Sequence, residues 1–445
     1  MKTKTLKKDK VNIITLGCSK NMVDSEVLGG QLKAGQLDVV HENGKTDHNI
    51  VIVNTCGFID KAKEESIDTI LNQVELKRRG KLDKVYVTGC LSERYRNNLE
   101  AEIPEVDAYF GTFELPLLLK RFNIDYRQEL VGERILSTPA HYAYLKISEG
   151  CNRTCSFCAI PLMRGKHTSK PIEQVVNEAK GLVRSGVKEI MLIAQELTYY
   201  GLDIYKKREL PRLLHLLADI EGLVWIRLHY AYPSRFPLEI LDVMRERENI
   251  CNYLDMPLQH ASDPVLKAMN RQITQDDMNR LIDTIRERVP GICLRTTLIA
   301  GFPGETRQDV EEVKAFLHRH RFDRVGVFSY SHEEDTSAYQ LIDHVPAEEK
   351  EERAREIMEV QQEISYEKNT EKIGQVYKVI IDKRESGNYI GRTEFDSVEV
   401  DNEVIISTDQ LLRPGDFVQA RITKAYDYDL QGELVSDKLL NTELA

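Results

Sequence analysis

Three segments near the start of the chain share one pattern, a short run of β-branched and aliphatic residues that ends on a cysteine. They read VNIITLGC, NIVIVNTC and KVYVTGC. Each run has the length of a buried strand, and each is followed by apolar residues at helical spacing, over 24–32, 61–77 and 92–99. Strands alternating with helices predict a parallel sheet with right-handed crossovers. In such sheets ligands lie beyond the carboxyl ends of the strands. Cys18, Cys56 and Cys90 therefore stand at equivalent ends of three strands, on one edge of the sheet, distant in sequence but able to converge.

From about residue 140 a second series begins, with strands expected at 142–148, 189–194, 224–229, 252–256, 292–299 and 324–329. Amphipathic stretches such as 172–185 and 275–288 separate them. Six βα repeats suggest a barrel-type arrangement short of the usual eight, with functional residues at the carboxyl ends of its strands. Pro346 then opens a long charged helix, with proline in its favoured first-turn place. Past Gly374 the pattern changes to alternation in QVYKVIID, GNYIGRTEF, SVEVDNEVIIS, FVQARITKAYDY and GELV, which predicts a small antiparallel barrel. The fold class is α/β overall, divided into a tail (1–10), an N-terminal βα domain (11–126), a central partial barrel (137–367) and a C-terminal β-barrel (370–440).

Composition narrows the chemistry. The 445 residues carry 61 Lys and Arg against 72 Asp and Glu, a net charge of −11, which argues against a general nucleic-acid binder. No apolar run approaches the roughly 18 residues of a membrane span. MKTKTLKKDK is Lys-rich with no apolar segment after it, so a cytoplasmic location is expected and the tail reads as solvated. Eight cysteines in such a chain read as metal ligands or nucleophiles rather than a disulfide framework. Cys251 and Cys293 have no partner at ligand spacing and read as small core hydrophobes.

The strongest local signal is EGCNRTCSFCAIP, a C-x3-C-x2-C run formed by Cys151, Cys155 and Cys158 just after the strand YAYLKIS. Three thiolates in one loop can hold three irons of a 4Fe-4S cluster, which normally takes four cysteines, leaving one iron open. Zinc is the alternative, but it favours four closed ligands. Cys18, Cys56 and Cys90 are either ordinary buried thiols or a second such set.

A three-cysteine loop at the end of a first barrel strand, with Phe157 before the third ligand, resembles the radical S-adenosylmethionine (SAM) superfamily. The resemblance implies that SAM binds the open iron and is cleaved to a 5′-deoxyadenosyl radical. With the second cysteine set and the terminal barrel, nearly the whole chain resembles the radical SAM methylthiotransferase family. TLGCSKNMVDSE, NTCGFIDKAKEES, GCLSERY, ISEGCNRTCSFCAIPLMRG, WIRLHYAYP, YLDMPLQHASDPVLKAMNR and GFPGET carry it.

The resemblance implies two 4Fe-4S clusters, one on Cys151, Cys155 and Cys158 that cleaves SAM and one on Cys18, Cys56 and Cys90 that carries sulfur. It implies a C-terminal TRAM domain and, as substrate, an aspartate β-carbon of small-subunit ribosomal protein S-twelve. A reductant such as flavodoxin or ferredoxin and a sulfur donor would serve it. Gln195, Glu196 and Arg227, at strand ends, are candidates to orient SAM, Arg227 being equally suited to a structural ion pair. Family members commonly read IAQDTT where this chain has IAQELTYYG, and GxxxSRP where it has GKHTSKP, with Lys170 in place of Arg. Gly301, Gly304 and Glu305 in AGFPGET would let backbone approach the adenosine, or form a plain tight turn. Asp24 reads as a helix-start charge just after Cys18 and Asn21.

The substrate class is approached through charge. From Thr370 to the end, 9 Lys and Arg face 15 Asp and Glu. An acidic barrel, with Tyr426 and Tyr428 set among Asp427 and Asp429, suits a basic polypeptide better than RNA. The related tRNA adenosine methylthiotransferases and a non-enzymatic iron–sulfur electron carrier are the alternatives.

Overall fold

In the computed structural model, residues 9–42, 48–127, 130 and 132–435 are described; the rest, including residues 1–8 of the Lys-rich tail, lie outside. The N-terminal domain runs β1 (Lys10–Thr15), α1 (Ser19–Ala34), β2 (Asp38–His41), β3 (Ile50–Thr55), α2 (Asp60–Arg78), β4 (Lys84–Gly89), α3 (Cys90–Glu102), β5 (Ala108–Tyr109) and α4 (Leu115–Lys120). Its five parallel strands lie in the order β2-β1-β3-β4-β5. The three apolar runs form the centre of the sheet, since β3 is buried on both faces. The edge strands β2 and β5 were not anticipated, because four and two residues are too few to show a period. Lys10 already belongs to β1 rather than to a tail.

The central domain continues with β6 (Tyr142–Lys146), β7 (Ser148–Glu149), α5 (Ile160–Arg164), β8 (Thr168–Ser169), α6 (Ile172–Arg184), β9 (Glu189–Ile193), α7 (Leu210–Ala218), β10 (Trp225–Leu228) and α8 (Glu239–Glu246). It ends with β11 (Ile250–Asp255), α9 (Asp263–Ala268), α10 (Gln275–Arg288), β12 (Cys293–Ala300), α11 (Arg307–His320) and β13 (Arg324–Ser329). Strands β6 and β9–β13 pair in chain order, all parallel, as an open six-stranded arc.

Alternate residues of each strand point to opposite faces. On β6, β9 and β10, Ala143, Leu145, Ile190, Leu192, Ile226 and Leu228 join the large apolar core shared with the helices. The other face of the arc carries Lys146, Glu189, Arg227, Asp255, Arg295 and Arg324.

A 24-residue helix, α12 (Ala347–Thr370), leads into the terminal barrel, whose strands are β14 (Val376–Glu385), β15 (Asn388–Thr393), β16 (Val404–Ile406), β17 (Phe417–Ala425) and β18 (Leu430–Leu434). The barrel closes in the order β14-β15-β16-β18-β17. Four of its pairings are antiparallel, but β16 runs parallel to β18, which departs from the purely antiparallel expectation. SVEVDNEVIIS also departs from it, since only Val404–Ile406 is strand.

The preceding residues form a loop that enters the arc. Val398 packs on Tyr142, Tyr144, Met191 and Ile193, and Phe395 on the cluster of Trp225, Cys251, Tyr253 and Cys293. Cys251 and Cys293 are thus core hydrophobes, as expected.

Charges on the arc's inner face find partners on that loop and its barrel. Arg324 pairs with Asp396, Arg295 with Asp255 at 3.0 Å and Asp401 at 3.3 Å. Glu189, fully buried, accepts from Arg227 at 2.9 Å and from Arg392 at 2.7 Å. Burial alone would raise the Glu189 carboxyl, but Arg392 and Arg227 outweigh it and hold it below the usual carboxylate range. Removing one member of a buried ion pair leaves an uncompensated charge, at a cost of about 3–5 kcal/mol. Glu189→Gln is therefore expected to lower the midpoint of chemical denaturation by an amount equivalent to about 3 kcal/mol or more. An unchanged midpoint would mean that the buried arginines are stabilised by other groups.

Candidate active site

The first three cysteines stand at the ends of the neighbouring strands β1, β3 and β4, on one edge of the sheet. Cys18 caps the start of α1, Cys56 follows β3, and Cys90 is the first residue of α3. Gly17, at φ +87°, lies so close to Cys56 that a Cβ there would stand 2.7 Å from its Sγ. A Cβ on Gly57 would in turn meet the backbone of Leu91 at 2.8 Å. Glycine is required at both places because the strand-end turns are pressed together. Asn21 ties them further, its Nδ2 donating to Leu16 O at 2.8 Å and to Thr55 O at 3.0 Å.

Cys18 is exposed, whereas Cys56 and Cys90 are buried. Burial pushes the Cys90 thiol up to about 12, with Arg164 opposing and Cys18 and Cys56 reinforcing the shift.

The second set lies in the loop between β7 and α5. That loop is pinned by Ser156, whose Oγ donates to Ala268 O at 2.7 Å and whose N–H donates to Met269 O at 3.0 Å. Burial raises the thiols of Cys151 to about 11 and of Cys158 to about 12, and neighbouring cysteines add to each shift. Arg271 donates to Cys155 Sγ at 3.2 Å. Phe157 is half-buried among Val265, Met269, Phe302 and Tyr330.

Among the described residues, no group of three His, Cys, Asp or Glu side chains converges as a single metal ion would require.

The other expected site residues divide into two groups. Gln195 faces the cysteine region: its Nε2 donates to Glu149 at 2.5 Å, while its Oε1 is buried without a partner. Gly304, at φ +93°, has open space where a Cβ would be.

The rest are engaged within the protein. Glu196 accepts from Thr198 N at 2.8 Å and from Arg153 at 3.1 Å, and Arg153 is sandwiched between the rings of Tyr199 and Tyr232. Glu196 therefore holds the cysteine loop through Arg153. Glu305 accepts from Gly301 N at 2.9 Å and from Arg353 at 2.8 Å, which fixes the AGFPGET turn. Gly301 faces Lys350 of α12, where a Cβ would clash at 2.2 Å. Arg227 donates to Glu189 and to the carbonyl of Glu394 at 2.5 Å, the geometry of the ion-pair alternative. Lys170 pairs with Glu178 at 2.8 Å.

Asp24 corrects an expectation. It lies in the second turn of α1, not at its start, because the helix begins at Ser19. Its carboxylate faces Lys146 and Arg164 of the central domain, Arg164 at 2.6 Å. Burial would raise that carboxyl, yet the two cations hold it below its ordinary value.

Arg153, Arg164 and Arg271 were not singled out from the sequence. For Arg153 and Arg164 the signal was there, since CNRTC and LMRG set arginines beside the cysteine loop, but an arginine reads as solvated until its burial is known; nothing near Arg271 in sequence points to that loop.

Comparison with known proteins agrees with this layout. Residues 145–317 match the radical SAM superfamily, 10–111 the uncharacterized protein family UPF0004, and 373–435 the TRAM domain. The chain is 58% identical over 434 residues, 97% of its length and all of the relative's, to ribosomal protein uS12 methylthiotransferase RimO of Flavobacterium psychrophilum. It is 58% identical to the RimO of Cytophaga hutchinsonii, over 98% of this chain and 100% of that one. To the RimO of Parabacteroides distasonis it is 51% identical, over 97% and 100%.

Among solved structures, the radical SAM methyltransferase TsrM from Kitasatospora setae superposes with a TM-score of 0.53 at 15% identity, covering 72% of this chain and 73% of that one. This likeness concerns the fold alone. Identity above half over nearly the full length of both chains, together with the radical SAM match, leaves one assignment: the chain belongs to the RimO family of radical SAM methylthiotransferases and is a transferase.

Proposed function

We propose that this enzyme installs a methylthio group on the β-carbon of an aspartate in ribosomal protein uS12, using two 4Fe-4S clusters and SAM in two roles. The observation that carries the reading is full-length similarity to uS12 methylthiotransferases in a chain whose two cysteine triads both gather at strand ends. When bound, the clusters and SAM supply a hydrogen-abstracting radical at one triad and a methylated sulfur at the other.

Cys151, Cys155 and Cys158 hold the SAM-cleaving site, and Cys18, Cys56 and Cys90 the sulfur-carrying site. Burial holds the Cys90 and Cys158 thiols protonated, so binding of iron there would release protons as each becomes a thiolate. Gln195 Oε1, buried and unpaired, is an acceptor suited to the ammonium group of SAM. Phe157 and the open backbone at Gly304 line the same approach, with Glu305, Glu196 and Arg153 acting as positioning residues.

Charge supports a basic polypeptide over RNA as substrate. Asp382, Asp396 and Asp401 are spent on arginines at the domain junction, but acidic residues still outnumber basic ones on the rest of the terminal domain. No helix among the described residues is long and apolar enough to cross a membrane, which accords with a cytoplasmic site of action on a ribosomal protein. A reductant of the flavodoxin or ferredoxin kind and a sulfur donor complete the requirements.

Reconstituted enzyme is expected to hold about eight irons per chain, and Cys18→Ala/Cys56→Ala/Cys90→Ala about four. Cys151→Ala should abolish 5′-deoxyadenosine formation. Anaerobic turnover with SAM, sulfide and dithionite, offered uS12 and unmodified tRNA together, should add methylthio to the protein alone by mass spectrometry. A gain on tRNA alone would overturn the substrate assignment. Gln195→Ala loses one hydrogen bond of about 1 kcal/mol, so SAM should bind roughly five-fold more weakly in equilibrium dialysis.

A further inference from the structure

The residue that joins the two cysteine sites is Arg164, the last residue of α5, six positions beyond Cys158. It is 4% exposed, and its donors are all turned toward the N-terminal domain or the strand end beside it. Nε donates to Cys90 Sγ at 3.2 Å. Nη1 donates to Asp24 at 2.6 Å and to Glu149 at 3.3 Å, and Nη2 to Asn21 Oδ1.

Its backbone meanwhile supports the other site. A Cβ on Gly150 would lie 2.7 Å from Arg164 O, and Cys151 N–H donates to the adjacent Gly165 O at 3.1 Å. Arg164 therefore touches Cys90 with its side chain while its carbonyl lies against Gly150, and the next residue, Gly165, accepts from Cys151.

The side chain is held where it is. Asp24 and Glu149 each also pair with Lys146, so two cations and two carboxylates form a closed quartet, and the guanidinium cannot swing away without leaving charges unpaired. Glu149 further accepts from Gln195, which continues the network toward the SAM-cleaving site.

We propose that Arg164 is a positioning residue for the sulfur-carrying site, fixing Cys90 as a ligand and raising the reduction potential of the cluster bound there through its hydrogen bond to Sγ. The proposal rests on the two-cluster reading above. A cationic donor to a cysteine sulfur withdraws charge from it and stabilises the more negative, reduced state. Such outer donors tune clusters as much as the ligands do. Lysine offers a point charge without the fork, so it cannot reach the sulfur while bonding Asp24, Glu149 and Asn21 together.

The test is an EPR-monitored redox titration in two backgrounds, each loaded with one cluster. In Cys151→Ala/Cys155→Ala/Cys158→Ala, adding Arg164→Gln should shift the midpoint potential downward or reduce iron below that of the parent, with unchanged circular dichroism. Arg164→Lys should give a smaller shift in the same direction. In Cys18→Ala/Cys56→Ala/Cys90→Ala, where Arg271 and not Arg164 contacts a ligand, Arg164→Gln should leave the potential in place.

Equal potential and iron in the first background, or equal shifts in both, would overturn the proposal. Should Arg164→Gln not fold, Arg164→Lys, which keeps the charge but cannot bond the sulfur and the carboxylates together, must show the downward shift, and its absence would count against the proposal in the same way. If the parent with the N-terminal triad alone takes up no iron, it is the two-cluster reading that fails, an outcome separate from any effect of Arg164.

Discussion

A charge removed from water has to meet its opposite, and in this protein that requirement is concentrated on one surface. The inner face of the six-stranded arc carries Lys146, Glu189, Arg227, Asp255, Arg295 and Arg324, while its outer face is aliphatic and covered by helices. Buried charges are tolerated only when paired and hydrogen-bonded. The arc cannot supply all of the partners itself. The loop between β15 and β16 and its barrel bring Asp396, Asp401 and Arg392 to one end, and α1 brings Asp24 to Lys146 at the other. The positions of the two flanking domains answer this constraint together with the apolar packing of Val23, Val398 and Phe395 on the same face.

The parts of the fold governed by local pattern were legible. Strands β1, β3 and β4 show as β-branched runs, and α10 was expected over the very residues it occupies, where Thr274 and Asp277 form a capping box. The placing of Cys18, Cys56 and Cys90 on one edge followed from topology, because parallel strands in one sheet put their carboxyl ends on the same side. Features that depend on partners distant in sequence were not legible. Asp24 meets Lys146 across 122 positions, and nothing near it announces a partner rather than a helix start. The segment Ser397–Glu403 alternates like a strand, but its side chains are claimed by His229, Tyr253 and Arg295, so it becomes a loop instead.

The same reasoning changes the meaning of the terminal domain's acidity. Taken as composition, fifteen carboxylates against nine cations describe a surface that attracts basic partners. Three of those carboxylates are instead counter-ions to arginines at the domain junction, so they serve assembly and contribute no field at the surface. What remains is still acidic, and the preference for a polypeptide rests on that remainder.

Electrostatics at the cysteine ends of the sheets is arranged in the opposite sense. Without a cluster, burial keeps the Cys90 and Cys158 thiols neutral, and no site has to hold three bare thiolates. Arg164 and Arg271 already aim hydrogen bonds at one sulfur of each set. Were the thiols to lose their protons to solvent and bind iron, the negative charge on their sulfurs would meet donors that need no rearrangement, which is preorganisation of the kind that makes buried electrostatics effective. Arg164 is fixed by carboxylates from two domains. The correct placing of the N-terminal domain is therefore itself a condition for the contact between Arg164 and Cys90, and the quartet that spans the two domains also fixes that contact.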